Sequence, residues 1–360
     1  MNWGMGNTSG RAGQRISLQV ALFFALATGL MQPAAAAPIH PSAGSARFSA
    51  TFIQLWADHW NWPQARWQET FRHYRALGLK EIYLQWTVYD GLNYYSPGVD
   101  TIGAVGQPGK TAPVGVILQL ARESGMAVHL GLAFHSGFWQ NAKPGPQLAT
   151  YMEQQYRRSA STAAELARLY GRDSAFAGFY IPEELDDLMW PAGQPRELLL
   201  DHFARLSSEL ERLAPGKALT ISGYGGARTE PARLQTFWTD LLSRTRFTTV
   251  MFQDGIGVGN LPLAYLRQYL DAMKLAAMQT EKELRVIVET FRQVDGEFNG
   301  RSFRAIPAPF PLLLPQMQVA APYSAGGLVA FTISDYLSPM GGDEAARGYQ
   351  SYLDWMTQSL

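Results

Sequence analysis

The chain has 360 residues, 47% of them hydrophobic, which is enough for one large core. Its 30 Lys and Arg balance its 30 Asp and Glu, and no basic run stands out, which argues against a nucleic-acid partner. There is no cysteine, which excludes disulfides, thiolate metal sites and lipidation through a lipobox thiol.

Arg11 and Arg15 precede an apolar run from Ile16 to Leu30, and Ala34-Ala35-Ala36-Ala37 supplies a small-residue cleavage site. Residues 1–37 therefore read as a signal peptide. The run is short for a membrane span and no second one follows. The mature protein, starting near Pro38, is expected in the periplasm of a Gram-negative bacterium or secreted, without stable membrane insertion; the alternative is an uncleaved anchor. Residues 38–48 read as a linker and 49–360 as a single domain.

Eight apolar runs of strand length follow: Ala50–Trp56, Glu81–Trp86, Ala127–Phe134, Phe176–Ile181, Ala218–Ser222, Thr248–Gln253, Leu284–Glu289 and Leu328–Ile333. Between them lie segments with helical spacing of apolar positions: Pro63–Ala76, Pro113–Ser124, Gln147–Tyr170, Arg196–Leu213, Glu230–Ser243, Leu261–Met278 and Asp343–Met356. Pro63 and Pro113 suit helix starts, and Gly125 suits a helix end. The Pro-rich segment Ile306–Tyr323 is expected to hold the seventh crossover. Eight strands alternating with helices predict a single (β/α)8 barrel, an α/β fold. A doubly wound sheet is the rival, but no Gly-rich phosphate loop follows the first strand.

In such a barrel the C-terminal strand ends share one mouth. Those ends carry Trp56, Asp58, His59, Gln85, Trp86, Tyr89, Asp90, His135, Trp139, Glu183, Tyr224, Gln253, Asp254, Asp335 and Tyr336. Aromatic faces with amides and carboxylates suit a pocket that stacks on sugar rings and bonds their hydroxyls. The fourth strand ends in Pro182-Glu183-Glu184 and the seventh in Glu289. Two strand-end glutamates suggest paired-carboxylate cleavage of a glycosidic bond, although such acids also cap helices or pair with arginines.

The stretches Phe52-Ile-Gln-Leu-Trp56, Tyr83-Leu-Gln-Trp-Thr-Val-Tyr-Asp90 and Gly178-Phe-Tyr-Ile-Pro-Glu-Glu184 resemble a bacterial domain-of-unknown-function family of secreted glycosidase-like barrels. That family is similar to the retaining (β/α)8 glycosidases, which carry their acid/base and nucleophile glutamates on strands four and seven. The usual Asn-Glu pair is replaced here by Glu183-Glu184; the Pro-x-Glu pattern matches Pro182 and Glu184. The resemblance implies Glu184 as acid/base and Glu289 as nucleophile. Glu289 is then expected to stay ionised, with Tyr224 orienting it and Arg292 nearby, either holding its pKa down or forming a structural salt bridge.

The six His show no HExxH spacing, so neither a metal site nor another cofactor is expected. Gly223-Tyr-Gly-Gly226 and Gly255-Ile-Gly-Val-Gly259 lack the Lys-Ser/Thr of a phosphate cradle and read as flexible substrate loops. The expected partner is a polysaccharide or oligosaccharide. The alternative is a non-catalytic barrel that binds a polysaccharide during export or surface attachment.

Overall fold

The computed structural model describes residues 46–297 and 301–358. The proposed signal peptide and most of the linker lie outside them. The eight expected strands form a closed, all-parallel barrel in which each strand pairs with its sequence neighbours and the last closes on the first. They are β1 (Phe48–Ile53), β2 (Glu81–Leu84), β3 (Ala127–Gly131), β4 (Phe176–Leu185), β5 (Ala218–Gly223), β6 (Thr249–Gln253), β7 (Glu283–Glu289) and β8 (Leu328–Phe331).

The crossover helices are α1 (Gln64–Ala76), α2 (Pro113–Ser124), α3 (Leu148–Tyr170), α4 (Gln194–Leu213), α5 (Pro231–Arg244), α6 (Leu263–Gln279) and α7 (Phe310–Ala320), with α8 (Asp343–Gln358) after the last strand. Pro113 opens α2, and Gly125 ends it with φ 65°, where a side chain would be strained. No helix among the described residues is long and apolar enough to cross a membrane.

Two excursions break the simple alternation. The Pro-rich crossover is not one helix: Ile306 and Pro307 close an antiparallel hairpin, Phe291–Glu297 with Arg301–Pro307, before α7 begins. A three-stranded patch (Val88–Tyr89, Leu92–Asn93, Ala133–Phe134) extends beyond β2 and β3.

Strand side chains alternate between two cores. Those facing outward join the helices in one large cluster. Those facing inward, Ala50, Phe52, Tyr83, Tyr180, Met251, Ile287 and Val329, fill the barrel as a dry layer with Phe331 packed against them. At the N-terminal end a polar network lies below that layer. Arg285 donates to Glu81 Oε2 at 2.9 Å, to the Tyr83 hydroxyl at 3.1 Å and to Ser49 Oγ at 2.8 Å. His129 Nε2 stands 3.1 Å from the same Glu81 oxygen. Both terminal nitrogens of the buried Arg285 are thus bonded, while its Nε is left without a partner.

Candidate active site

Alternation along the strands decides which residues reach the mouth. Two positions beyond inward Phe52, Tyr83, Met251 and Ile287 stand Gln54, Gln85, Gln253 and Glu289. On β4 the register slips between Ile181 and Glu184, so that Glu184 pairs with Ser222 where Pro182 would otherwise stand. Pro182 has no N–H to give a ladder, which suits it to a bulge. The result is a cup of three amides and two glutamates above the dry layer.

Glu184 is held by amides alone. Gln85 Nε2 donates to its Oε1 at 3.2 Å, and Gln253 donates to the carboxylate from β6. Gln54 Nε2 in turn donates to Gln85 Oε1 at 2.9 Å, fixing that amide's orientation. Burial pushes the Glu184 carboxyl up to about 7, against the pull of these donors. Glu183 points the other way, towards α3. It is 2% exposed, neither oxygen has a well-formed hydrogen bond, and the Gln155 amide is the polar group beside it. Burial raises it too, to about 7. It does not line the cup.

Glu289 lies in a cradle of backbone. The Gly-rich stretch after β6 folds back onto it, and Val258 N–H donates to Oε2 at 2.9 Å. Gly257 is glycine for want of space. A Cβ there would sit 2.5 Å from the Phe291 carbonyl oxygen, 2.8 Å from Glu289 Cβ and 2.9 Å from Oε2. The stretch read as a flexible loop is thus a fitted anion nest.

Asp254, expected in the substrate pocket, is fully buried behind Glu289. Its Oδ1 accepts the Glu289 amide at 3.2 Å and the Ile256 amide at 3.4 Å, and Oδ2 has no partner. Burial first, then the Asp254 charge, raise Glu289 well above the ordinary carboxylate range; Val258 N–H pulls it back, and Glu184 adds a smaller push. The expectation that Glu289 rests ionised with Arg292 beside it therefore fails. Arg292 is exposed on the hairpin and is not among the groups acting on Glu289.

Tyr224 also has a different partner than expected. Its hydroxyl donates to Asp186, a residue absent from the sequence reading, and not to Glu289. Trp139 stands edge-on to Tyr224 at 6.1 Å, forming a wall. Trp56 is 40% exposed and packs its edge on Tyr89, at 5.2 Å, a usable aromatic platform at the rim. Trp86 is no platform: it is 3% exposed, faces outward, and its indole N–H donates to the Leu55 carbonyl at 2.7 Å.

The remaining residues scatter around the rim. Asp58 is exposed and accepts from Trp62, while His59 is buried with its ring against Trp62 and Trp67, away from the cup. Asp335 is tied to Thr332 Oγ1 at 2.6 Å, and Tyr336 packs on Phe291. Asp90 and His135 line a separate rim pocket with Arg158. Among the described residues no cluster of three or more His, Asp or Glu is arranged to hold a metal ion.

A family model described as "Domain of unknown function (DUF4434)" matches residues 48–342. The Uncharacterized protein YbcH of Escherichia coli (strain K12) is 26% identical over 251 residues, covering 68% of this chain and 75% of that protein. Among solved structures, a candidate alpha-L-fucosidase from Bacteroides thetaiotaomicron VPI-5482 aligns with TM-score 0.72 at 17% identity, over 89% of this chain and 95% of that one. The hyperthermostable endo-1,4-beta-D-mannanase of Thermotoga petrophila RKU-1 aligns with TM-score 0.56 at 12% identity, over 87% and 99%. At these identities the likeness is one of fold.

Proposed function

We propose, starting from a chain that belongs to the DUF4434 family, that it is a glycoside hydrolase of the retaining type acting on a polysaccharide or oligosaccharide. One observation carries the reading: glutamates from β4 and β7 meet in one cup, close enough for the charge of Glu184 to act on Glu289. The fold likeness to a candidate fucosidase and to a mannanase supports it. Export by the residue 1–37 segment is part of the same proposal, since the substrate would lie outside the cell.

In this reading Glu184 protonates the departing glycosidic oxygen and Glu289 attacks the anomeric carbon. Water then enters against the glycosyl-enzyme ester, with Glu184 now taking its proton. A carboxyl raised to about 7 retains its proton in mildly acidic solution and is half protonated near neutrality, as the acid step requires. Glu289 must be ionised to attack, and its neighbour Asp254 opposes that. Asp254 and Glu289 titrate as a pair, and the reactive form is the one in which the pair holds a single proton and the Val258 N–H stabilises the charge on Glu289. Activity should then fall above pH about 7, as Glu184 loses its proton.

The test is a pair of variants on aryl glycosides and natural glycans. Glu289→Ala should lose turnover of every substrate, with azide giving only the inverted glycosyl azide. Glu184→Ala should lose natural glycans yet still react with an activated aryl glycoside, and azide should then give retained product. Glu183→Ala, turned away from the cup, should change rates modestly; if it shows the acid/base phenotype instead, the assignment moves to Glu183.

A further inference from the structure

A second cavity lies at the rim, outside the cup. It has a volume of about 270 Å³ and is walled by Asp90, Phe134, His135, Gln155 and Arg158, with the 102–104 loop on one side. The patch beyond β2 and β3 supplies Asp90, Phe134 and His135. Gln155 and Arg158 come from α3, three residues apart and hence on one helix face.

Unlike the cup, this pocket holds a guanidinium, Arg158, with Asp90 as its acid. Glu184, Asp254 and Glu289 have no ion-pair partner among the described residues, so the cup offers a negatively charged sugar no cation. Arg158 is half-buried, and its guanidinium donates to the neutral Oε1 of Gln155 at 3.2 Å. The pocket's acid faces its histidine: Asp90 Oδ1 accepts the Ser136 amide at 2.8 Å and stands 4.0 Å from His135 Nε2. His135 Nδ1 accepts the Gly137 amide at 3.0 Å, which leaves Nε2 as the ring's donor. A guanidinium held against a neutral amide keeps the rest of its fork for a planar anion.

We propose that this pocket is a distal subsite for a carboxylate-bearing sugar, a uronic acid, with Arg158 as the anion's ligand and His135 as a second donor. The proposal rests on the glycan reading of the cup and adds that the polymer is acidic, its charge carried away from the cleaved bond. Phe134 offers the pocket's apolar wall.

The test reads binding and not turnover, so it stands apart from the failure of catalysis. Sodium glucuronate, glucose and sodium acetate are titrated separately into the purified protein and followed by NMR shift changes. Glucuronate should bind saturably, glucose and acetate far more weakly. Arg158→Gln should weaken glucuronate about 10- to 100-fold, the usual loss for a hydrogen bond to a charged group. Arg158→Lys, which keeps the charge without the fork, should fall between; both variants should melt as the parent does. No saturable glucuronate binding, or binding unchanged in Arg158→Gln, overturns the proposal. Acetate binding as tight as glucuronate overturns the sugar and leaves a general anion site.

Discussion

Gly257→Ala tests whether the backbone cradle sets the ionisation of Glu289. The new methyl would lie 2.5 Å from the Phe291 carbonyl and under 3 Å from two atoms of Glu289. The carbonyl belongs to backbone anchored by the barrel, so the loop itself must move. Overpacking of this kind costs about 1–3 kcal/mol. The moving loop withdraws the Val258 N–H now 2.9 Å from Oε2. A hydrogen bond to a charged group is worth about 1.5–3 kcal/mol, and one pKa unit is 1.36 kcal/mol. Glu289 is already raised by burial and Asp254; losing a donor raises it by a further ~1–2 units. A nucleophile works above its pKa, so the acidic limb of kcat/KM should move up by that amount. On that limb the rate should fall about 10- to 100-fold while the alkaline limb stays put. The assay is a pH–rate profile on an aryl glycoside with a thermal melt beside it. A variant that melts lower but keeps the parent's acidic limb would refute the cradle argument.

Trp86→Ala should cost about 3–5 kcal/mol in urea unfolding, as a buried aromatic does, whereas Trp56→Ala should leave stability within ~1 kcal/mol and weaken glycan binding. Glu183 shifts from 4.5 to about 7 on burial, so it contributes stability present below pH about 4.5 and lost as pH rises through about 7. Glu183→Gln, which cannot ionise, should therefore gain roughly 3 kcal/mol over the parent at pH 8 and almost nothing at pH 4, by urea melts. N-terminal sequencing of exported protein should begin between Ala36 and Ile39, and a start at Met1 would sink the export proposal.

The barrel was legible because strands buried on both faces must be apolar, and each of the eight runs is. The hairpin after β7 was not, since Phe291–Glu297 mixes charge with short apolar positions and reads as loop. Within the site, counting strand ends brought Gln85, Gln253, Glu184 and Glu289 into view but could not rank them. Two-residue alternation does. Once Tyr83 and Met251 face inward, Gln85 and Gln253 must follow, and Trp86 and Asp254 must face away. The same rule, applied to Phe52, finds Gln54, which the sequence reading passed over. It does not find the slip at Pro182–Glu183, because a bulge is set by pairing with β5 and leaves only a proline as its trace. Asp186 was missed as one of four clustered acids whose separate directions depend on that bulge.

The aromatic layer beneath the cup gives the site a front and a back. Phe52, Tyr83, Tyr180 and Phe331 pack across the barrel beneath the cup, with the Glu81–Arg285 network below them. With that layer at their back, Glu184 and Glu289 would exchange protons chiefly through the mouth, the path by which a sugar enters. A substrate seated across that path isolates the three carboxyls from solvent with whatever proton count they held on its arrival. Molecules that arrive at a wrongly charged site must leave before they can react, so acidity would be registered at encounter: strongly in kcat/KM, faintly in kcat.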